Sequence, residues 1–385
     1  MTSDSRPVFT TVFRERKDGY HTYRIPSIVA ARDGSLVALA EGRRSRKDQS
    51  GNDIVMKRSS DNGDTWQDFT TIASMGDDSL NNPQAVVLRD SGDIILFYQL
   101  FPYPSYVRAL VPGFVDPPGK RLALPWFKRI PKRVTRAFCM RSKDNGSTWS
   151  TPQDITAQVK RPSKVTSLSG GPGVGIELRR EPFRNRIIMP FNQGPVRRWK
   201  VYAVYSDDGG KTWKYGRVAP PHPTGMKGTA NEVQMVELVD GRIMLNARVQ
   251  GGNHHRVVAY SSDGGETWTP LQEDPVLIEP QCQASIIRYS DPIDGQESRL
   301  LFSNPASKSR RMKGTIRMSY DEGKTWPVKR ILCAGWFAYS CLAVLSDGTI
   351  GCLFEHGKKD AYETITFARF TLKWLTRTSA DRIVD

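Results

Sequence analysis

Ser59-Ser-Asp-Asn-Gly-Asp-Thr-Trp66 is the first of five copies of one octapeptide, Ser-x-Asp-x-Gly-x-Thr-Trp. The others begin at Ser142, Ser206, Ser261 and Ser319, and every copy keeps all five fixed letters. A phrase recurring at long period marks an array in which each unit is one supersecondary element. In the first unit an apolar run at 27–31 meets Asp33-Gly34, a hairpin signal, and 36–41 returns. After a polar loop, 53–59 leads into the octapeptide and 67–73 leaves it. Turn signals recur at Ser91-Gly92-Asp93, Asp240-Gly241 and Asp347-Gly348.

Four short strands per unit, repeated around a ring, predict an all-β fold: a β-propeller of four-stranded antiparallel blades. Five blades carry the octapeptide. A sixth is read from 340–345, 349–355 and 364–370, and the N-terminal run 8–13 supplies its fourth strand and closes the ring. The expectation is therefore a single six-bladed domain over 1–385, because stacked units share one core.

Within the octapeptide, Gly supplies a positive φ, Asp and Ser hydrogen-bond inside the turn, and Trp packs at the blade edge. That turn joins third strand to fourth, so it lies at the same end of the ring as the first hairpin. The loops between strands two and three lie at the other end, where function concentrates. Reading only that end gives Arg24 in Tyr23-Arg-Ile-Pro26, and Arg43 with Asp48 in Glu41-Gly-Arg-Arg-Ser-Arg-Lys-Asp48. It also gives Glu232 in Asn231-Glu-Val-Gln234, Arg248 closing Leu245-Asn-Ala-Arg248, and Arg317 at the expected start of a third strand. Tyr339 and Glu355, in Leu353-Phe-Glu-His356, come from the sixth blade. Asp53 is an alternative acid to Asp48, and the place of Arg43 beside Asp48 suggests a binding role.

The formal net charge of +16 suits an anionic ligand or surface. The basic residues are spread along the chain without a nucleic-acid motif, so no nucleic-acid partner is expected. Five cysteines, an odd number without metal-type spacing, read as buried free thiols, and no metal or cofactor is expected. The start, Met1-Thr-Ser-Asp-Ser-Arg-Pro7, has no apolar stretch of a leader, and nothing resembles a membrane span. The chain is read as soluble: cytoplasmic, or secreted if a leader has been removed. Residues 101–136, rich in aromatics, prolines and bases, fall between strands two and three of the second blade. A loop this long is expected to form a wall or lid over the site, with contact to anionic lipid as the lesser alternative.

Together these segments resemble the exo-acting sialidases (neuraminidases) of bacterial and animal type. The octapeptide matches their Asp box and Tyr23-Arg-Ile-Pro26 their first-blade motif; spaced arginines, Asn231-Glu-Val-Gln234 and Ala338-Tyr-Ser340 complete the match over 20–370. The resemblance implies that Arg24, Arg248 and Arg317 form an arginine triad, that Glu355 holds the first of them, and that Tyr339 is the nucleophile. It makes Glu232 the base for Tyr339 and Asp48 the acid/base at the leaving oxygen. The implied activity is retaining hydrolysis of terminal α-ketosidic sialic acids, from glycoconjugates or free sialyl-oligosaccharides, through a tyrosyl-glycoside intermediate. Hydrolysis of KDN or another ulosonic acid, transfer to a sugar acceptor, and a glycan-binding propeller without catalysis remain alternatives.

Overall fold

Each octapeptide folds into the same hydrogen-bonded turn. Ser59 Oγ donates to Asp61 Oδ1 at 2.7 Å and accepts the Gly63 N–H at 2.8 Å, while Asp61 also accepts the Thr65 N–H and hydroxyl at 2.9 and 2.6 Å. The glycine N–H reaches the serine at 2.8 Å in the other four copies as well. The five glycines have φ between +80° and +91°, which an L side chain rarely adopts. They also face the neighbouring sheet. A Cβ on Gly63 would lie 2.1 Å from the Phe367 ring, and one on Gly210 would lie 2.5 Å from Ile95.

The computed structural model describes residues 6–102, 135–162, 167–194 and 198–377. The expected insertion at 101–136 lies almost wholly outside the described residues. What is described is all-β apart from short helical turns such as Thr156–Val159 and Leu372–Thr376. The first sheet pairs Thr22–Ala30, Leu36–Arg43, Asp53–Ser59 and Gln67–Ala73 in order, all antiparallel. The second is built on Ser79–Val87, Ile94–Phe101, Arg136–Ser142 and Gln153–Asp154. The third is built on Leu168–Gly170, Ile187–Gln193, Lys200–Ser206 and Lys214–Tyr215, and the fourth on Thr229–Glu237, Ile243–Gln250, His255–Ser261 and Gln272–Ile278.

The fifth sheet has seven strands, because Val328–Val344 runs unbroken for 17 residues and serves both the fifth and the sixth repeat. Ser285–Ser290, Arg299–Pro305 and Met312–Ser319 precede it; Ile350–Gly357, Thr364–Phe370 and the N-terminal Val8–Arg14 follow. The N-terminal strand pairs antiparallel with the last one, from Val8 opposite Arg369 to Arg14 opposite Thr364.

Apolar layers fill the spaces between successive sheets. Leu39, Met56, Leu96 and Phe138 join the first sheet to the second, and Phe97, Ile95, Phe191 and Val204 join the second to the third. The last sheet packs on the first through Leu353, Phe367, Ala38 and Val55. The middle strands are buried on both faces, so they read as continuous apolar runs and not as alternation. Beneath the inner strands, residues 171–174 run between buried amides: Gln84 and Gln283 donate to Gly171 O and Pro172 O, and Val174 N–H donates to Gln234. A Cβ on Gly171 would stand 1.9 Å from Val233 O, so only glycine fits there.

The Asp-box hydrogen bonds carry a pH signature. The Thr hydroxyl and N–H hold Asp61 and Asp144 down from 3.8 to about 2. A depressed carboxylate stabilises the fold fully above its unfolded pKa and loses that contribution as pH falls toward the folded value. Thermal melts should therefore weaken progressively from about pH 4 to about pH 2. Asp61→Asn should lower the melting temperature at about pH 6 and narrow the difference between about pH 6 and about pH 2.5. An unchanged pH difference would assign the acid sensitivity elsewhere.

Candidate active site

Strand register separates the two ends of each sheet. Ala30 lies opposite Leu36 and Leu36 opposite Ser59, so the Asp box shares an end with the first hairpin. Thr22 lies opposite Arg43 and Gly42 opposite Asp53, at the other end. At that second end the inner strands are irregular. Register shifts fall between Arg24 and Ser27, Asn81 and Gln84, Asn231 and Val233, and Phe337 and Ser340. Ile25, Asn82 and Glu232 there have φ of 60°, 54° and 45°. Bulges of this kind re-aim side chains, and positive φ at a β-branched or acidic residue is strain that its surroundings must hold.

The surroundings supply buried acceptors from the preceding sheet. Glu355, fully buried, accepts the Ile25 N–H at 2.9 Å and the Tyr339 N–H at 3.2 Å. Glu41, also fully buried, accepts the Asn82 N–H at 2.8 Å, and Asn192 accepts the Glu232 N–H at 3.2 Å. The bulges at Ile25, Asn82 and Glu232 are thus each fixed by a side chain set in another sheet, and the one at Tyr339 by Glu355 of its own sheet.

Onto this framework the chain places its chemistry. The Tyr339 hydroxyl donates to Glu232 Oε1, and Arg248 Nη1 donates both to Glu232 Oε2 and, at 3.0 Å, to Tyr339 Oη. Burial, reinforced by Glu232, raises the Tyr339 pKa well above the usual phenol value, which favours the neutral phenol. Arg24 Nε donates to Glu355 Oε1 at 2.5 Å, and its guanidinium lies 5.3 Å from the Tyr339 ring centre and 4.2 Å from that of Tyr362. Burial opposes its charge most strongly, yet Glu355 together with the Tyr362 and Tyr339 phenols outweighs burial and raises its pKa.

Arg43 and Asp48 are also neighbours. Arg43, fully buried, binds Glu41 Oε2 through Nε and Nη2 at 2.7 and 2.6 Å, and donates to Asp48 Oδ1 at 2.9 Å. Asp48 is reachable by solvent, its side chain 83 % exposed. Partial desolvation inside the cleft pushes its pKa up; the charges of Arg43 and Arg24, the Arg43 hydrogen bond and Arg311 outweigh that and hold it below the usual carboxylate range. Its backbone carbonyl accepts from Asn52 and Asn81 at 2.7 and 3.0 Å, which fixes the loop. Asp53, the alternative acid, is buried and accepts the Tyr20 hydroxyl at 2.7 Å.

One expected residue is elsewhere. Arg317 does not begin its strand: Met312–Ser319 places it two residues before the Ser319 Asp box, opposite Phe302 and Lys329. That is the structural end of the sheet. Burial lowers the Arg317 pKa, and the charge that opposes this is Asp274, not a member of the Tyr339 cluster. Arg311, just before the same strand, occupies the expected place instead. Its guanidinium lies 5.2 Å from the Tyr339 ring centre, and it donates to Tyr362 Oη and Gln281 O, each at 3.1 Å. The signal that would have found it is the distance from the Asp box: a third strand of seven or eight residues ends at Ser319, so its entry lies near Arg311. Tyr362, which touches both Arg24 and Arg311, carries no sequence signal.

The charge balance defines what the cluster takes. Glu355 compensates Arg24 and Glu232 compensates Arg248. Arg311 has a carbonyl and a phenol as partners and, among the described residues, no ion pair to a carboxylate. A half-buried guanidinium so placed attracts an anion, and a carboxylate suits its planar fork. Among the described residues no group of His, Cys, Asp and Glu is arranged to hold a metal ion. One cleft of about 900 Å³ is lined by Arg141, Lys143 and the Asp-box residues 207–211, and none of the residues of this cluster borders it.

A BNR repeat-like domain model matches residues 34–352. A sialidase of Micromonospora viridifaciens is 36% identical over 370 residues, 93% of this chain and 53% of that protein. A sialidase of Bacteroides fragilis is 30% identical over 88% of this chain and 60% of its own length. The chain thus spans a little over half the length of these two relatives. Among solved structures, the Hadza microbial sialidase Hz136 superposes with a TM-score of 0.81 at 29% identity, over 96% of this chain and 69% of that one. With its repeats, fold and family match in agreement, the chain belongs to the sialidase family, built on the BNR repeat-like domain.

Proposed function

We propose that this chain is a retaining exo-sialidase, built as a single six-bladed propeller in which the seven-stranded sheet supplies two blades. The observation that carries the reading is the hydrogen bond from Tyr339 to Glu232 beside three guanidiniums, Arg24, Arg248 and Arg311. Sialic acid carries its carboxylate on the anomeric carbon. A carboxylate nucleophile would meet like charge there, whereas a phenol stays neutral until its proton moves, and sialidases depart from the two-carboxylate scheme in this way. The three arginines seat the substrate carboxylate, with Arg311 in the role first expected of Arg317. Glu232 takes the Tyr339 proton as the phenol oxygen attacks, while Asp48 protonates the leaving oxygen. Asp48 then activates the water that releases sialic acid with retained configuration. Arg43 sets the charge of Asp48. The substrates are terminal sialic acids of glycoconjugates or sialyl-oligosaccharides; the triad is blind to the C5 substituent, so KDN belongs in the first assay.

Tyr339→Phe should reduce turnover of an aryl sialoside by about a thousandfold or more, because it removes the attacking atom. Comparable rates in the two proteins would dismiss the nucleophile assignment. Arg311→Ala should weaken inhibition by a sialic-acid glycal by roughly a hundredfold, the scale of a lost charge-assisted pair, while Arg317→Met should leave it unchanged. The reverse pattern would restore Arg317 to the triad. Asp48 must carry a proton to act as acid, and Arg43 holds its pKa down, so kcat/KM should fall as pH rises. Arg43→Gln should move that alkaline limb to higher pH; a limb that stays in place or moves down would free Asp48 from Arg43.

A further inference from the structure

Glu279 follows the strand Gln272–Ile278 and is fully buried. Its two oxygens accept backbone N–H groups from different places: Cys282 N at 2.6 Å and Val249 N at 3.2 Å. Val249 follows Arg248 on the second strand of the fourth sheet. Cys282 follows Gln281, whose carbonyl receives Arg311 Nη2 and whose φ is 55°. Arg256, buried and with its pKa brought down to about 10 by that burial against the pull of Glu279, donates to Cys282 O at 2.9 Å and to Asn246 Oδ1 at 2.7 Å. The Cys282 residue is thereby gripped from both sides, its N–H by Glu279 and its carbonyl by Arg256. The Gln281 side chain adds a bond from Gly251 N at 3.3 Å.

From this geometry, and resting on the sialidase reading above, we infer that Glu279 is a positioning residue that sets the spacing of Arg248 and Arg311. It touches neither guanidinium. It ties the backbone that carries Arg248 to the backbone whose carbonyl anchors Arg311, so one carboxylate fixes two of the three groups that seat the substrate carboxylate. A carboxylate is needed because both partners are donors. A glutamine of the same shape presents one oxygen and one NH2, and the NH2 would face an N–H with nothing to accept.

The test compares Glu279→Gln and Glu279→Asp with the unsubstituted chain, measuring the melting temperature, KM and kcat for an aryl sialoside, and glycal affinity by calorimetry. For Glu279→Gln, KM and the glycal Kd should rise together, on the order of tenfold, with kcat changing much less. Glu279→Asp keeps two acceptor oxygens at shorter reach and should fall between. A folded glutamine variant with parental KM and Kd overturns the inference. So does a fall in kcat alone, or, where the glutamine variant fails to fold, an aspartate variant that binds glycal like the parent. Turnover by the unsubstituted chain reports on the sialidase reading, and the variant-to-parent ratio of glycal affinity reports on Glu279, so the two fail separately.

Discussion

A backbone N–H at a left-handed bulge, capped by a buried oxygen from the neighbouring sheet, is the contact on which the site depends. Glu355 caps Ile25, Glu41 caps Asn82 and Asn192 caps Glu232. Gln99 does the same for Gly170 at 2.9 Å without a positive φ. An uncapped N–H in these buried places would cost about 1–3 kcal/mol, on top of about 1–3 kcal/mol of backbone strain. The pairing makes the bulge tolerable and couples the inner strand that carries it to the sheet beside it. Because sheets touch through apolar layers, that coupling fixes distances between residues hundreds of positions apart, as for Arg24 and Glu355.

Charge is arranged on the same principle. Burying a guanidinium is costly unless a carboxylate answers it. Glu355, Glu232 and Glu41 each answer one arginine, and each also receives a further hydrogen bond. Beside Tyr339, Arg311 is held by neutral oxygens instead. The positive charge of Arg311 beside Tyr339 suits a carboxylate. The overall charge of +16 acts at longer range, favouring approach of anionic substrates without selecting among them.

The two ends of the sheets divide the work. The Asp-box end is repetitive because its five turns solve one problem, a φ-positive glycine pressed onto the adjacent sheet. The other end varies because its residues answer to different partners. This explains why Arg317 misled: its strand carries arginines near both ends, and only the register says which end each occupies.

Local sequence determined the strand-and-turn repeat, the octapeptide turns, the pairing of the N-terminal strand with the last one, and most of the polar cluster. The turns rest on interactions within a few residues, and the strands and most of the polar cluster were legible as apolar runs and short motifs. Tertiary structure alone decided that Arg311 and not Arg317 faces Tyr339, that Tyr362 bridges two arginines, and that Glu279 binds two distant strands. It also merged the fifth and sixth repeats through one continuous strand. These outcomes depend on strand ends, on bulges that shift register by a residue, and on hydrogen bonds across sheet boundaries. A one-residue change of register reverses the face a side chain presents, and linear periodicity cannot show where such a shift occurs.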